Sequence, residues 1–160
     1  MAGRLFYWGE FLIVLALLGF AYYLQFYNDL VPCPLCELQR VIFAALGCLF
    51  LANAVLIKKR RRWVNVIIAV MAVLGMLIAA RQVWLQFFPP EESVLSICDV
   101  KLSYLLQIMP WSDALLNILI GGPNCAKISW QFLHLSIAQW SLLWFGFFLI
   151  AALIRIYDGK

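Results

Sequence analysis

Four long apolar runs divide the chain, with short polar or charged segments between them. Each run is about 20 residues long or longer, which at about 1.5 Å per residue is enough for a helix to cross the hydrocarbon core of a bilayer. We therefore predict one membrane domain, residues 1–160, with four membrane-spanning helices. The predicted spans are 5–26, 36–57, 63–88 and 138–156.

The composition supports lipid as the environment of these helices. Of the 160 residues, 66% are hydrophobic and 12% are charged. A water-soluble domain of this size has too small an interior to bury that share of apolar side chains. The predicted fold class is an all-α membrane protein, a four-helix bundle whose segments 27–35 and 89–137 are loops on one side of the membrane.

The basic residues predict the orientation of the bundle. Five of the twelve lysines and arginines form one run, 58–62, between the second and third spans. Basic connections stay on the cytoplasmic side, so both termini should be cytoplasmic and the segments 27–35 and 89–137 should face outward. Such a run between apolar segments is only a weak signal for nucleic acid, and we predict no nucleic-acid partner.

The second span begins with a candidate redox pair. Cys33 and Cys36 are separated by two residues at a helix start, where their sulfurs can come within bonding distance. The helix start favours a thiolate, above all at Cys36, and Arg40 lies four residues further on, on the same helix face. The alternatives are a structural disulfide or half of a metal site for the pair, and an interfacial position for Arg40.

Three further cysteines lie elsewhere in the chain. Cys98 and Cys125 fall in the long outward segment, whereas Cys48 is in the middle of the second span. In an oxidising compartment Cys33 can pair with Cys36 and Cys98 with Cys125. Two dithiols on one face indicate an electron relay that requires no metal. We expect Cys48 to be a small buried hydrophobic residue.

The relay needs an electron acceptor at the membrane. Cys36 and Arg40 lie at the lipid boundary, where they can meet a lipid-soluble quinone. Arg81 should lie at a similar depth in the third span, so that the two arginines can bind a polar head group with an apolar tail; separate snorkelling is the alternative for Arg81. We expect Glu10, in the first span, to be hydrated near the cytoplasmic surface, although an intramembrane carboxylate is a functional candidate.

Within the long outward segment we predict a short amphipathic helix over residues 113–120, capped by Ser112 and ended by Gly121. Its apolar stripe can lie on the membrane surface or pack onto the domain itself.

These features together resemble the DsbB family of bacterial inner-membrane disulfide-forming proteins. The resemblance rests on the four spans, the cysteine pair followed by Arg40, the basic run, and the two cysteines of the long outward segment. It also rests on the stretch Asn124-Cys125-Ala126, Trp130-x-Phe132-Leu133 and Gln139-Trp140. The resemblance implies an inner-membrane protein with its active cysteines facing the periplasm, a DsbA-like partner, and ubiquinone or menaquinone as cofactor.

The resemblance also implies residue roles. Cys98 is similar to the cysteine that DsbA attacks, and Cys125 to its disulfide partner, which then exchanges with Cys33. Cys36 corresponds to the cysteine that reacts with the bound quinone, and Arg40 to the arginine that stabilises it.

Three other positions complete the comparison with the family. Arg81 has a counterpart in the third span. Members often carry a histidine after the third span, whereas the only histidine here, His134, precedes the fourth span; we expect it at a surface and assign it no catalytic role. Pro34 lies between the two cysteines, where it can alter the potential of the couple.

We therefore predict a quinone-dependent protein-thiol oxidoreductase without a metal. Two other interpretations stay open on the sequence alone. The four outward cysteines can hold a structural zinc ion, or their disulfides can brace the loop of a non-enzymatic four-span protein.

Overall fold

A computed structural model describes residues 2–27, 32–55, 58–89, 107, 110, 112–113, 116, 118, 123–128 and 130–158. The chain is mainly helical, with one small hairpin before the last helix. In chain order the elements are α1 (Ala2–Tyr27), α2 (Pro34–Val55), α3 (Lys58–Phe87), α4 (Pro123–Ala126), β1 (Gln131–Phe132), β2 (Leu135–Ser136) and α5 (Ile137–Asp158).

The predicted four-helix membrane fold is confirmed. Among the described residues, α1, α2, α3 and α5 are each long and apolar enough to cross a membrane. The basic run 58–62, predicted as a loop, instead forms the first turns of α3, because lysine and arginine are good helix formers. The cytoplasmic position of the termini stays a prediction. Of the predicted short helix 113–120, residues 113, 116 and 118 are described, and the others lie outside the described residues.

Consecutive long helices pack against one another: α1 on α2, α2 on α3, and α3 on α5. At the centre, the rings of Phe43 on α2 and Phe145 on α5 are stacked with their centroids 4.1 Å apart. Gly75 on α3 makes room for this stack, since a Cβ atom at that position would lie 2.5 Å from a carbon of the Phe145 ring. Cys48 is exposed on the surface of α2, so the prediction that it is buried in the protein was wrong.

One end of the bundle is closed by polar contacts, which we call the ion-pair end: Glu10, Arg155, Tyr7, Asn53 and Asn65. Arg155 on α5 donates two hydrogen bonds to the Glu10 carboxylate on α1, at 2.7 and 2.9 Å. Glu10 is only 4% exposed, so the expectation that it is hydrated was wrong: the guanidinium of another helix takes the place of water. The Tyr7 hydroxyl and the Asn53 amide both donate to Asn65 Oδ1, at 3.0 and 2.7 Å.

At the opposite end, a hairpin leads into α5. Strands β1 and β2 are antiparallel, and the turn residues Leu133 and His134 have φ values of 52° and 63°, the positive values typical of a tight type I′ turn. His134 is exposed, as expected. Ser136 and Gln139 then cap α5 reciprocally, with the Ser136 N–H donating to Gln139 Oε1 at 2.8 Å and the Gln139 N–H donating to Ser136 Oγ at 3.3 Å.

Candidate active site

The first turn of α2 fixes the position of Cys33. The Glu37 N–H donates to the Cys33 carbonyl oxygen at 3.0 Å, which makes Cys33 the N-cap residue. Pro34 follows at the first helical position, where the missing N–H of proline costs nothing. The Cys36 N–H points at Cys33 Sγ, at 3.4 Å. The sulfur of Cys33 therefore occupies the place of the oxygen in an ordinary capping side chain.

The two sulfurs of the predicted redox pair lie together, and two glutamines lie beside them. Cys33 Sγ donates a hydrogen bond to Cys36 Sγ at 3.1 Å. Gln82 of α3 places its Nε2 atom 3.0 Å from Cys36 Sγ and 3.6 Å from Cys33 Sγ. Gln39 of α2 in turn donates to Gln82 Oε1 at 2.7 Å. Both glutamines are buried, so the pair has fixed polar neighbours.

Cys125 of α4 joins this pair. It is fully buried in a small cluster with Leu35, Leu85 and Ile118, against which Cys33 also packs. A hydrogen bond between the Cys33 and Cys125 side chains, together with Cys36 and with burial, raises the pKa of the Cys33 thiol. This direction agrees with the Cys33 thiol acting as the donor to Cys36 Sγ. Cys98, the fourth predicted site cysteine, lies outside the described residues.

A cavity of about 630 Å³ opens beside the cysteine pair, between α1, α2, α3 and α5. Its polar wall contains Cys33, Cys36, Gln25 and two basic residues, Arg40 and Lys127, and most of the remaining wall is apolar. Six aromatic side chains contribute to that apolar wall: Phe20, Phe43, Trp130, Phe132, Trp140 and Trp144. We call this cavity, with the cysteine pair, Gln39 and Gln82, the cysteine end of the bundle.

The guanidinium of Arg40 is held against α1 by neutral groups. It donates to Gln25 Oε1 and, at 3.1 Å, to the carbonyl oxygen of Ala21, and it lies 5.2 Å from the centroid of the Tyr22 ring. Both of these hydrogen-bond acceptors are uncharged, whereas Arg155 is bonded to the Glu10 carboxylate. The cavity therefore has a fixed positive charge in its wall.

Arg81, the other arginine predicted to meet a quinone, is half-buried on α3. It is not among the residues that line the cavity, and its role there stays a prediction.

The hairpin closes one side of the cavity with stacked rings. Trp130 packs edge-on against Phe20 of α1, with centroids 5.4 Å apart, and lies parallel to Phe132 at 6.0 Å. The indole N–H of Trp140 donates to the Phe132 carbonyl oxygen at 3.1 Å. These contacts hold the hairpin against both α1 and α5, where its aromatic rings form part of the cavity wall.

Sequence reasoning proposed the cysteines and Arg40 but missed four glutamines that line the cavity, Gln25, Gln39, Gln82 and Gln86. A signal was present, because each glutamine interrupts an apolar run and a buried amide in a membrane helix needs a polar partner. Gln39 also lies three residues after Cys36, on the same helix face. The sequence gives no indication, however, that Gln82 lies beside Cys36.

The sequence of the chain matches a known protein family over most of its length. The family model "Disulfide bond formation protein DsbB" matches residues 3–155. The chain belongs to the DsbB family. Within the family, proteins named Disulfide bond formation protein B are similar over most of their length. That of Hahella chejuensis is 39% identical over 152 residues, covering 91% of this chain and 88% of the relative. That of Azoarcus sp. (strain BH72) is 40% identical over 148 residues, covering 91% and 87%.

A third DsbB-family relative, from Aromatoleum aromaticum, is 37% identical over 155 residues, covering 96% of this chain and 92% of the relative. The family model, over residues 3–155, extends through all four long helices and both cysteine-bearing regions, so the resemblance found in the sequence is confirmed at the level of the family.

Proposed function

We propose that this protein oxidises the thiols of a DsbA-like periplasmic protein and passes the electrons to a membrane quinone, as a multi-pass protein of the bacterial inner membrane. Family membership supports a role in disulfide formation. The observation that carries the proposal is that the Cys33–Cys36 pair opens onto an apolar cavity whose wall contains the charge of Arg40.

The cavity fits the head group of a quinone. Its volume of about 630 Å³ is in the range of small-molecule sites, which are mostly apolar with a few placed polar groups. Aromatic rings line it, and Arg40 with Gln25 supplies polar groups near Cys36. Ubiquinone and menaquinone share these requirements, and either one, when bound, supplies a two-electron, two-proton acceptor.

Arg40 contributes electrostatic stabilisation in this proposal. A guanidinium keeps its charge in a low-dielectric site, and the bonds to Gln25 and to the Ala21 carbonyl hold it in place before any reaction. A preorganised cation of this kind stabilises negative charge that develops next to Cys36.

The cysteines carry the electrons by successive disulfide exchanges. A thiolate of the partner attacks Cys98 in a Cys98–Cys125 disulfide, which forms a mixed disulfide and releases the Cys125 thiolate; a second thiol of the partner then displaces Cys98. Cys125 attacks Cys33 of the oxidised pair, which joins those two sulfurs and releases Cys36 as a thiolate. Cys98 then attacks Cys125, which restores the Cys98–Cys125 disulfide and releases Cys33, so that the reduced Cys33–Cys36 pair can give two electrons and two protons to the quinone and return to the disulfide. Each exchange makes one S–S bond and breaks one. The contact between Cys33 and Cys125 supports the exchange between these two residues.

The test is to mix the purified protein anaerobically with a reduced DsbA-like protein and a soluble ubiquinone or menaquinone analogue, and to follow quinone absorbance. We expect steady quinone reduction by the wild type. In Cys36→Ser the rate should fall to that of the mixture without enzyme, because Cys33 alone cannot form the disulfide through which the pair passes electrons to the quinone.

Cys48→Ala is the matched control, since it removes a cysteine of the same helix that is exposed and lies far from the pair. It should keep the wild-type rate. Quinone reduction that continues unchanged in Cys36→Ser would contradict the proposal. Failure of the wild type to reduce any quinone, with stoichiometric zinc found by metal analysis, would favour a structural zinc site instead.

A further inference from the structure

We propose that Gln82 is a catalytic residue of the Cys33–Cys36 couple, which it makes more oxidising by donating a hydrogen bond to the Cys36 sulfur, and that Gln39 is the residue that positions Gln82. The inference rests on the proposed redox role of the pair.

The contacts of Gln82 single it out among the polar groups of the cysteine end. Its Nε2 atom is 3.0 Å from Cys36 Sγ and 3.6 Å from Cys33 Sγ, so one amide group reaches both reacting atoms. Gln82 is 4% exposed, and water therefore does not compete for this contact. By comparison, Arg40 donates its hydrogen bonds to Gln25 and Ala21 of α1 rather than to sulfur.

Gln39 determines which end of the Gln82 amide faces the sulfurs. Its Nε2 donates to Gln82 Oε1 at 2.7 Å, which occupies the oxygen and turns the NH2 group toward Cys36. A thiolate has no hydrogen to donate and can only accept. Gln39 is itself 3% exposed and lies one helical turn after Cys36. Hydrogen bonds thus run from Gln39 to Gln82 and from Gln82 to the Cys36 sulfur.

The direction of the effect follows from the two redox states. In the reduced pair, Cys36 Sγ accepts hydrogen bonds from the Cys33 thiol and from Gln82, two contacts that favour the thiolate of Cys36. Oxidation forms the Cys33–Cys36 bond, releases the Cys33 proton and transfers two electrons to the oxidant. A hydrogen bond to a charged group is stronger than one to a neutral sulfur, so Gln82 stabilises the reduced state more than the disulfide. A couple with a stabilised reduced state is a stronger oxidant.

The experiment is equilibration of the full-length protein with glutathione buffers, without quinone or partner. Oxidised glutathione takes up the two electrons as its own S–S bond breaks. After acid quenching and alkylation, mass spectrometry gives the oxidised fraction of the peptide that contains Cys33 and Cys36. Gln82→Met, of similar length but without a donor, should shift the equilibrium about tenfold or more toward the disulfide, which is about 30 mV for a two-electron couple.

Gln39→Met should cause a smaller shift in the same direction, because Gln82 keeps its donor but loses its orientation. The double variant should be no more shifted than Gln82→Met alone, as expected when one residue acts through the other. Should Gln82→Met fail to fold, Gln82→Asn tests the same point, since its shorter side chain cannot reach both Gln39 and Cys36.

The matched control is Asn65→Leu, which removes another buried amide of α3, bonded to Tyr7 and Asn53 instead of sulfur. It should lower stability and leave the glutathione equilibrium unchanged. An unshifted equilibrium in a folded Gln82 variant, or equal shifts in Gln82→Met and Asn65→Leu, would overturn the inference. Neither result bears on quinone use; a wild type that equilibrates with glutathione but reduces no quinone would refute the proposed function alone.

Discussion

The two ends of this bundle each hold an arginine within a membrane-spanning helix, but the two arginines have different partners. At the ion-pair end, Arg155 is neutralised by Glu10 through two hydrogen bonds and lies 4.4 Å from the centroid of the Tyr7 ring. At the cysteine end, Arg40 is held by an amide and a carbonyl group, both uncharged, beside a cavity of about 630 Å³.

The difference separates a structural charge from a functional one. An intramembrane charge is costly unless it is paired. For Arg155, the ion pair with Glu10 offsets this cost and holds α1 against α5. The neutral partners of Arg40 fix its position while leaving its charge available to an anion in the cavity. Removing the charge at the cysteine end should therefore change turnover, whereas removing a charge at the ion-pair end should change stability.

The largest expected effect is on turnover at the cysteine end. Arg40→Ala removes the fixed cation beside Cys36, and we expect quinone reduction to fall about 100-fold or more, as for loss of one preorganised charge stabiliser. The rate of Arg40→Lys should lie between those of Arg40→Ala and the wild type, because an ammonium keeps the charge but cannot contact Gln25 and Ala21 in the same way. Rates at limiting quinone, normalised to folded protein, provide the measurement.

Equal turnover of Arg40→Ala and the wild type would contradict the distinction between Arg40 and Arg155, because both arginines would then be structural. The free energy of unfolding, from helix circular dichroism in a denaturant titration of detergent micelles, serves as the control. It should change far less than turnover does.

At the ion-pair end, the expected effect is on stability. Glu10→Gln leaves the Arg155 guanidinium without a counter-charge in a mostly buried site, and we expect the free energy of unfolding to fall by roughly 3 kcal/mol. Quinone reduction per folded molecule should stay near the wild-type rate, since the substitution lies outside the cavity. The same titration and the same rate assay measure both quantities.

The double variant Glu10→Leu with Arg155→Met sharpens this test. Apolar side chains of similar size remove both charges, so most of the lost stability should return. If the double variant is no more stable than Glu10→Gln, the contribution of the pair does not come from compensating charge.

Local sequence patterns were sufficient to predict the membrane helices and the relative positions of some residues of the candidate site. Runs of about 20 apolar residues predict membrane helices whatever their neighbours are. The positions of Cys33, Cys36 and Arg40 relative to one another depend on the spacing within a single helix start. A prediction of this kind needs no knowledge of how the helices pack.

Contacts between helices were not predictable in this way. Gln82 and Cys36 are 46 positions apart in the chain, and Arg155 and Glu10 are 145 apart. A helix that is apolar on all sides does not show which face packs against protein and which faces lipid. For that reason Cys48 was expected to be buried and is exposed, whereas Glu10 was expected to be hydrated and is buried.

The smallest effect we predict concerns Tyr7. Its substitution tests the hydrogen bonds of the ion-pair end separately from the ion pair. Tyr7→Phe removes the donor to Asn65 Oδ1, but that oxygen still accepts from Asn53 at 2.7 Å, so the substitution leaves Asn65 Oδ1 with a hydrogen bond. The ring that faces Arg155 is kept. We expect the free energy of unfolding to fall by about 1 kcal/mol and turnover to stay unchanged. A loss as large as that of Glu10→Gln would mean that the hydrogen bonds, rather than the ion pair, close this end of the bundle.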